Sequence, residues 1–180
     1  VYLGLAGYGV ASGSIDSYDP TIESGGRVSG TGAWTRLQVI RSSGPGVFSV
    51  WQAGTTPRVF VSSFDGLDAN DSLWIRAGSH VHYNYGFSAP GEYRIRIVPS
   101  AFQAGVQRVG CPIDLFFRVD IANSVAVVRG IVNLKDFVGT TSSVPLTVDL
   151  RSGGTLAETQ PVFPSCDGSF SFHTLNRGSF

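Results

Sequence analysis

The stretch that decides the fold runs from Asp65 to Val98, DGLDANDSLWIRAGSHVHYNYGFSAPGEYRIRIV. Within it, large apolar residues alternate with small or polar ones: Val81, Tyr83, Tyr85 and Phe87 against His82, Asn84 and Gly86. In a β-strand a period of two places successive side chains on opposite faces of the sheet. We therefore predict a strand whose apolar face is buried in a core, while His82 and Asn84 face outward.

A second alternating stretch follows after a break at Ser88-Ala89-Pro90-Gly91. In it the apolar residues Tyr93, Ile95 and Ile97 alternate with the charged residues Glu92, Arg94 and Arg96. Pro and Gly are turn-forming residues, and short loops that contain Gly commonly join antiparallel strands. The pattern predicts two amphipathic strands joined by a four-residue turn, which is a β-hairpin.

Further strand signals occur at regular spacing along the chain. Each is rich in β-branched and aromatic residues and is bounded by turn residues: Trp34–Arg41, Val47–Gln52, Arg58–Ser62, Ser72–Ile75 and Ile113–Val119. No segment has a convincing helical period, and the stretch from Ser12 to Gly32 reads as a long surface loop. This pattern is typical of a sandwich or barrel, and we predict an all-β chain of two tandem β-sandwich domains, immunoglobulin-like or transthyretin-like.

Short motifs before Val119 resemble the choice-of-anchor M domain of actinobacterial and planctomycete surface proteins, in which G-P-G-x-F, D-G-L, H-x-H-x-N and F-x-A-P-G-x-Y occur in this order. The matching residues are Gly44, Pro45, Gly46, Phe48, Asp65, Gly66, Leu67, His80, His82, Asn84, Phe87, Ala89, Pro90, Gly91 and Tyr93. The match covers roughly Val1 to Val119 and is stronger in its second half. The resemblance implies a cell-surface location and no known catalysis.

The rest of the chain, after a junction at Ile121–Ser124, resembles the opening strands of carboxypeptidase-regulatory-like or Cna-B-like modules, which are small transthyretin-type sandwiches. The matching residues are Gly130, Val132, Leu134, Pro145, Leu146, Val148, Leu150, Asp167, Gly168, Phe170, Phe172, Gly178 and Phe180. Those modules carry at least one further strand. We therefore expect a first domain at 1–121 and a smaller, incomplete one at 122–180. Because the chain contains no Met, we also expect a processed or trimmed piece.

The composition limits the classes of partner. Thirteen basic and thirteen acidic residues leave no net charge, so charge favours neither a nucleic acid nor an anionic membrane as partner. Charged residues are 14% of the chain, against a usual ~25%. No apolar run approaches the ~20 residues that span a bilayer. We predict an extracellular or cell-surface protein with no nucleic-acid partner and no membrane span in this chain.

Two cysteines, Cys111 and Cys166, are too few and too far apart for a metal knuckle. A disulfide between them would be worth roughly 4 kcal/mol on the chain-entropy estimate, and it would imply an oxidising, extracellular compartment. We predict that they pair and tie the last strand of the first domain to the second domain. Two separately buried thiols are the alternative.

Two groups of residues invite a metal interpretation. His80 and His82 face the same way on a strand, but zinc or copper would need two or three further ligands, so an exposed or hydrogen-bonded pair is favoured. The other group is an Asx-rich turn made of Asp65, Asp68, Asn70 and Asp71. It lacks the EF-hand spacing and its terminal Glu, and Asx side chains in turns usually bond their own backbone. We predict no cofactor. A spacer that calcium stabilises through this turn remains a third interpretation of the protein.

The same turn contains a formal N-glycosylation sequon, Asn70-Asp71-Ser72, so Asn70 is a candidate glycosylation site. Catalytic motifs are missing: the sequence has no G-x-S-x-G, no H-E-x-x-H and no phosphate loop. Carboxylates such as Glu23, Glu92 and Glu158 could form a pair for glycoside cleavage, but nothing in their placement selects two. We predict that the protein is not an enzyme.

The first ten residues, VYLGLAGYGV, predict a Gly-rich apolar strand, buried on both faces or docked in a groove. Such a strand could be donated to a neighbouring copy, and head-to-tail donation gives a filament. We predict a structural subunit of a cell-surface filament, stalk or layer. Its polymer contacts are expected at Val1, Leu3, Leu5 and Phe180. The alternative is a glycan-binding or adhesin module, in which a stacking platform would consist of Trp34, Trp51, Trp74 and Tyr83.

Overall fold

A computed structural model of the chain describes residues 2–11, 13–119, 126–131, 146–152, 155–162, 164, 166 and 168–174. The chain divides into two compact units, Val1–Ile121 and Ala122–Phe180. The described residues form strands and turns and contain no helix, which confirms the all-β prediction. In the first unit, two antiparallel sheets pack as a sandwich.

The described part of the first unit contains β1 (Tyr2–Ala6), β2 (Trp34–Ser43), β3 (Phe48–Gln52), β4 (Arg58–Ser62), β5 (Ser72–Arg76), β6 (His80–Phe87), β7 (Gly91–Gln103), β8 (Val106–Val109) and β9 (Ile113–Val119). One sheet has the strand order β1-β6-β3-β4, and the other has the order β5-β2-β7-β8, with β9 also paired to β7. The predicted strands are all present, and most of their ends lie within two residues of the prediction. The exceptions are β1, which ends at Ala6 and not at Val10, and β7, which continues to Gln103.

The core lies between these two sheets and consists of the inward-facing residues of both. Its most deeply buried members include Val39, Phe48, Val50, Phe60, Val61, Tyr83, Tyr93 and Ile95. On β6, Tyr83 and Tyr85 are buried, Phe87 is half-buried, and His82 is exposed. The predicted faces of this strand are therefore confirmed.

The predicted hairpin between β6 and β7 is wrong. β6 pairs with β1 and β3, whereas β7 pairs with β2, β8 and β9 in the other sheet. The connection between them therefore crosses the sandwich, and the two apolar faces meet across the core instead of lying side by side. Alternation fixes which residues face the core, but it does not fix which strand is the neighbour, so both arrangements have the same sequence pattern.

Tyr93 holds this crossing in place. Its hydroxyl donates to the Ala89 carbonyl at 2.8 Å and accepts from the Ala89 amide at 3.3 Å. Its ring lies 4.7 Å from that of Phe87, centroid to centroid. At the start of β7, Gly91 has a φ of 141°, and a Cβ there would lie 2.5 Å from Pro45 Cγ. Glycine is required at this corner for both reasons.

A hairpin that the sequence did not predict joins β7 to β8. Ala104 and Gly105 form its two-residue turn, with φ values of 51° and 72°. Positive φ at both central positions is the type I′ geometry that matches strand twist. The four residues of β8 are exposed, so they show too little apolar alternation to be recognised as a strand.

The predicted surface loop packs against the protein. Residues 13–32, here called the covering loop, lie over the outward side of the β5-β2-β7-β8 sheet. Tyr18 pairs with Gly32 within this loop, and its ring lies 4.9 Å from Phe102 and 6.0 Å from Trp74, centroid to centroid. Trp74 is buried beneath this loop. The loop therefore extends the hydrophobic core, since Trp74 is a core residue and Tyr18 packs against that core.

The described residues of the second unit form two antiparallel strand pairs. β10 (Ala126–Ile131) pairs with β13 (Ser169–Thr174), and β11 (Leu146–Ser152) pairs with β12 (Thr155–Val162). Several residues of the predicted module motif lie outside the described residues: Val132, Leu134, Pro145, Asp167, Gly178 and Phe180.

Candidate functional site

The outward side of the β1-β6-β3-β4 sheet carries the most unusual surface of the first unit, here called the neutral face. Strand register places these residues on it: Gly4, Ala6, Ser49, Trp51, Val59, His80, His82, Asn84 and Gly86. None of them is Lys, Arg, Asp or Glu. The face combines aromatic and imidazole rings with polar groups that both donate and accept hydrogen bonds.

Trp51 leans across the sheet because the position beside it is glycine. A Cβ at Gly86 would lie 2.6 Å from Trp51 Cζ3, so the indole occupies the space that a side chain would fill. Coverage of a strand glycine by a neighbouring aromatic ring stabilises sheets. Trp51 remains partly exposed, so the ring is both fixed by the sheet and reachable from solvent.

His82 is placed by glycine in the same way, on the opposite side of β6. A Cβ at Gly4 would lie 2.8 Å from His82 Cδ2. The ring of His80 lies 5.3 Å from that of His82, and its Nδ1 is hydrogen-bonded to the Tyr8 hydroxyl at 2.7 Å. A band of rings therefore runs from Tyr8 along β6, as predicted for an outward, hydrogen-bonded histidine pair.

Asn84 lies between the two ring systems. It is the register partner of Trp51, and its side-chain amide donates to the Trp51 carbonyl at 3.4 Å. Gln52 donates to the His82 carbonyl at 3.2 Å. These two bonds tie β3 to β6.

The outward side of the other sheet is charged. Cross-strand ion pairs join Arg94 to Asp114 at 2.8 Å, Arg96 to Asp114 at 3.4 Å and Arg118 to Glu92 at 3.6 Å. These five residues are here called the charged face. Arg96 is buried, and burial lowers the pKa of its guanidinium, while the Asp114 carboxylate acts in the opposite direction. The three guanidinium groups of this face share two carboxylates.

The covering loop adds a polar cluster beside Trp74. Glu23 accepts a hydrogen bond from the Tyr18 hydroxyl and forms an ion pair with Arg36 at 2.9 Å. Burial raises the pKa of Tyr18, and the hydrogen bond to Glu23 raises it further. The carboxylates considered for glycoside cleavage are therefore engaged in ion pairs, Glu23 here and Glu92 on the charged face. The side chain of Glu158 lies outside what the structure describes.

The Asx-rich turn bonds its own backbone and the nearby strand. Asp71 accepts from the Ser62 and Asp68 amides, both at 2.8 Å, and Asp68 accepts from the Asn70 amide at 2.6 Å. Among the described residues, no three His, Cys, Asp or Glu side chains are grouped so as to hold a metal ion. The sequon residue Asn70 is exposed, and the hydroxyl of Ser72 is buried against Arg36 and Ala69.

The four aromatic residues predicted as a stacking platform do not form one surface. Trp74 and Tyr83 are buried. Trp34 lies under the Arg76 guanidinium, 5.4 Å from the ring centroid, and donates from Nε1 to the Gly30 carbonyl at 2.9 Å. Among these four residues, the neutral face includes Trp51 alone. The alternation in the sequence indicates which strand residues face outward. It does not indicate that the covering loop buries the outward residue Trp74.

The polymer contacts predicted from the first strand have mixed positions. β1 is an edge strand that pairs with β6 in the same chain, from Tyr2 with Asn84 to Ala6 with His80. The prediction that it is buried on both faces is wrong, because Leu3 is 39% exposed while Leu5 packs against the core. Val1 and Phe180 lie outside the described residues.

The predicted disulfide is not formed. Cys111 and Cys166 are both free and exposed, so the alternative of buried thiols is wrong as well. A disulfide requires Cβ atoms about 3.8 Å apart. Each cysteine lies on an exposed connection of its own unit.

Comparison with family models, with curated proteins and with solved structures found no match for this chain. The described residues also contain no long apolar helix of the kind that crosses a membrane.

Proposed function

We propose that this protein is an extracellular, non-catalytic structural protein, a subunit of a cell-surface filament, stalk or layer, which joins further copies of itself through β1. The resemblance of the first unit to choice-of-anchor M surface domains supports the location. We include in the proposal that the two units are tandem immunoglobulin-like or transthyretin-like sandwiches. The observation that carries the proposal is the contrast between β1 and two other strands at sheet ends.

The edges at β4 and β5 are covered by side chains. Arg27 of the covering loop donates to the Val59 and Phe60 carbonyls of β4, both at 3.2 Å. The Tyr83 hydroxyl donates to the Trp74 carbonyl of β5 at 2.9 Å and accepts from its amide at 3.3 Å. Bonds of this kind occupy the backbone groups with which an edge strand would recruit another chain.

β1 ends its sheet with a paired strand on one side only among the described strands. Its sequence, YLGLA, has no charge and no proline, which are the devices that usually prevent edge-to-edge pairing. The exposed Leu3 adds apolar surface at this edge. β1 is therefore held in its sheet by β6 alone among the described strands, and its sequence does not oppose pairing with the β6 of another copy.

Strand exchange is the form of addition that we propose. In the polymer, β1 of a neighbouring copy would take the place on β6 that β1 occupies within one chain, with the same register. The segment after β1 contains Gly7 and Gly9, and glycine gives the backbone the freedom that such an exchange needs. Because donor and acceptor surfaces differ, head-to-tail exchange continues into a filament.

A designed cross-link tests this proposal. Ala6 and His80 are register partners and are both exposed, so Ala6→Cys/His80→Cys is made in a Cys111→Ser/Cys166→Ser background. We expect oxidation of the assembled protein to give covalent ladders, and oxidation before assembly to lock the strand within each chain and block polymerisation.

Negative-stain microscopy and non-reducing electrophoresis give the readouts, and Ala6→Cys alone is the matched control. Polymers that contain only intramolecular cross-links would rule out strand exchange. Purified protein that stays monomeric at all concentrations would rule out the homopolymer. Deletion of residues 1–9 should leave subunits that do not polymerise.

A further inference from the structure

The neutral face has the chemistry of a ligand surface that assembly through β1 does not use. We propose that it binds an extended neutral polysaccharide, with Trp51 as the stacking residue and with Asn84 and His82 as hydrogen-bonding residues. This inference is independent of the proposed polymer, since it rests on the outward side chains of β3 and β6.

Trp51 provides an aromatic surface on which a sugar ring can stack. Saccharide rings have apolar C–H faces that pack on aromatic rings, and binding sites combine such rings with a few convergent polar groups. The indole leans across Gly86, so its position is set before any ligand arrives. A fixed aromatic ring loses little conformational entropy on binding.

The polar groups of the neutral face match the hydroxyl groups of a sugar. Sugar hydroxyls both donate and accept hydrogen bonds, and the amide of Asn84 and the imidazoles of His80 and His82 can do the same. His80 and His82 are exposed and Asn84 is partly exposed. They line one side of β6 in alternate positions, so they face solvent in a single row.

The neutral face also differs from the opposite sheet in charge. Its register positions contain no Lys, Arg, Asp or Glu, while the opposite sheet has Arg94, Arg96 and Asp114 in ion pairs. An anionic glycan or an acidic peptide would find no lysine or arginine at these positions. A protein partner would need an apolar centre of ordinary interface size, and the neutral face offers few apolar side chains beyond Trp51 and Val59.

The shape selects an extended chain. From His80 to Gly86 the row covers six residue steps, or about 20 Å at ~3.3 Å per residue. The surface is the flat side of a sheet and not a closed pocket. A polysaccharide lying along β6 would contact the imidazoles at one end and the indole at the other, whereas a single sugar would contact only one of them.

Affinity electrophoresis of the full chain through gels that contain dextran, mannan, soluble cellulose derivatives or β-glucan tests the proposal, with alginate and heparin as anionic counterparts. We expect retardation by at least one neutral polymer and not by the anionic ones. Trp51→Ala should weaken that binding at least about tenfold. Trp34→Ala is the matched control, because Trp34 is also partly exposed but lies off the neutral face, and its affinity should be unchanged.

Gly86→Val provides a second variant, which keeps the indole but displaces it. A Cβ at this position meets Trp51 Cζ3 at 2.6 Å, so the affinity should fall as it does in Trp51→Ala, with the fold verified by circular dichroism. Equal binding by wild type and Trp51→Ala would overturn the proposal. Retention by the anionic polymers alone, or by none of the neutral polymers, would overturn it as well.

Discussion

The two outer faces of the first unit contrast in charge and in what covers them. On the charged face, Arg94 and Arg96 share Asp114, and the adjoining part of the same sheet is covered by the loop that buries Trp74. On the neutral face, Trp51 and His82 lie over glycines and remain accessible to solvent. Both sheets contribute similar apolar residues to one core, so the difference between them lies in outward positions, which the fold does not constrain.

This contrast separates two uses of an outer face. Cross-strand charges that pair with one another stabilise a sheet and leave little for a partner. Rings and amides without charged neighbours add less to stability and present more to a ligand. Substitutions should therefore affect mainly folding on the charged face and mainly binding on the neutral face.

The largest effect should come from the core behind the neutral face. Tyr85→Ala removes a buried ring from β6 and should cost about 3 to 5 kcal/mol of unfolding free energy, whereas the neighbouring Asn84→Ala should stay within about 0.5 kcal/mol. Urea unfolding followed by tryptophan fluorescence measures both. Equal losses in the two variants would mean that the inward and outward sides of β6 are assigned incorrectly.

A smaller loss should follow from Asp114→Ala on the charged face. The change removes the carboxylate that Arg94 and Arg96 share, and Arg96 is only 4% exposed. Leaving a buried charged group without its partner costs about 1 to 3 kcal/mol. The same measurement applies, with Asp114→Asn as the control that keeps the shape. If Asp114→Ala is as stable as the wild type, the ion pairs do not stabilise the charged face, and the proposed difference between the two faces is wrong.

Alkaline pH should affect the side of the core behind the neutral face. Burial raises the pKa of Tyr83 and of Tyr85 from 10.0 to about 12. Their neutral forms therefore favour the folded state below pH 10, and this stability is lost as the pH rises from 10 to 12, by about 1 to 3 kcal/mol for each residue.

Denaturant unfolding at pH 9, 10, 11 and 12 measures that slope. Tyr83→Phe should be less stable at pH 9 by about 1 kcal/mol, because it loses the hydroxyl bonds to the Trp74 backbone. Its stability should then fall less steeply above pH 10 than that of the wild type. Parallel curves for the two proteins would show that Tyr83 is not the group that titrates.

The smallest effect is expected for His82→Ala. The imidazole is exposed and covers Gly4, so its loss should change the unfolding free energy by no more than about 0.5 kcal/mol. Thermal unfolding by circular dichroism is sufficient to measure it. If the His82→Ala variant unfolds, the neutral face is needed for folding, and a metal bound by His82 becomes the better explanation.

The strands and their inward faces could be predicted from sequence, because alternation such as that of Tyr83 and Tyr85 is local. The partners of each strand could not. The turn at Pro90 joins two sheets, and only contacts distant in sequence distinguish this crossing from a hairpin. The same limit explains Trp74, whose outward position is covered by a distant loop, and Arg27, whose guanidinium reaches the carbonyls of β4.

The candidate site was predicted in part. Trp51 and the outward pair His80 and His82 were recognisable, since they alternate with core residues. Gly4 and Gly86, which position the rings, gave no signal of their role, because glycine in a strand is equally typical of a bulge or a tight bend. Only the register between strands shows that Gly4 lies beside His82 and that Gly86 lies beside Trp51.

The crossing from β6 to β7 has a consequence for the rate of folding. Neighbouring strands along the chain do not pair here, so the first unit lacks a local hairpin at its centre. β6 pairs instead with β1, in which Tyr2 is the register partner of Asn84, and β7 pairs with β2. Both partners are distant in the sequence. Topologies dominated by such distant contacts fold in milliseconds to seconds, because the chain loses the entropy of closing long loops before it gains the favourable energy of the contacts. During that interval β6 lacks its β1 neighbour, so its edge is open to the β1 segment of another copy, as the proposed strand exchange requires.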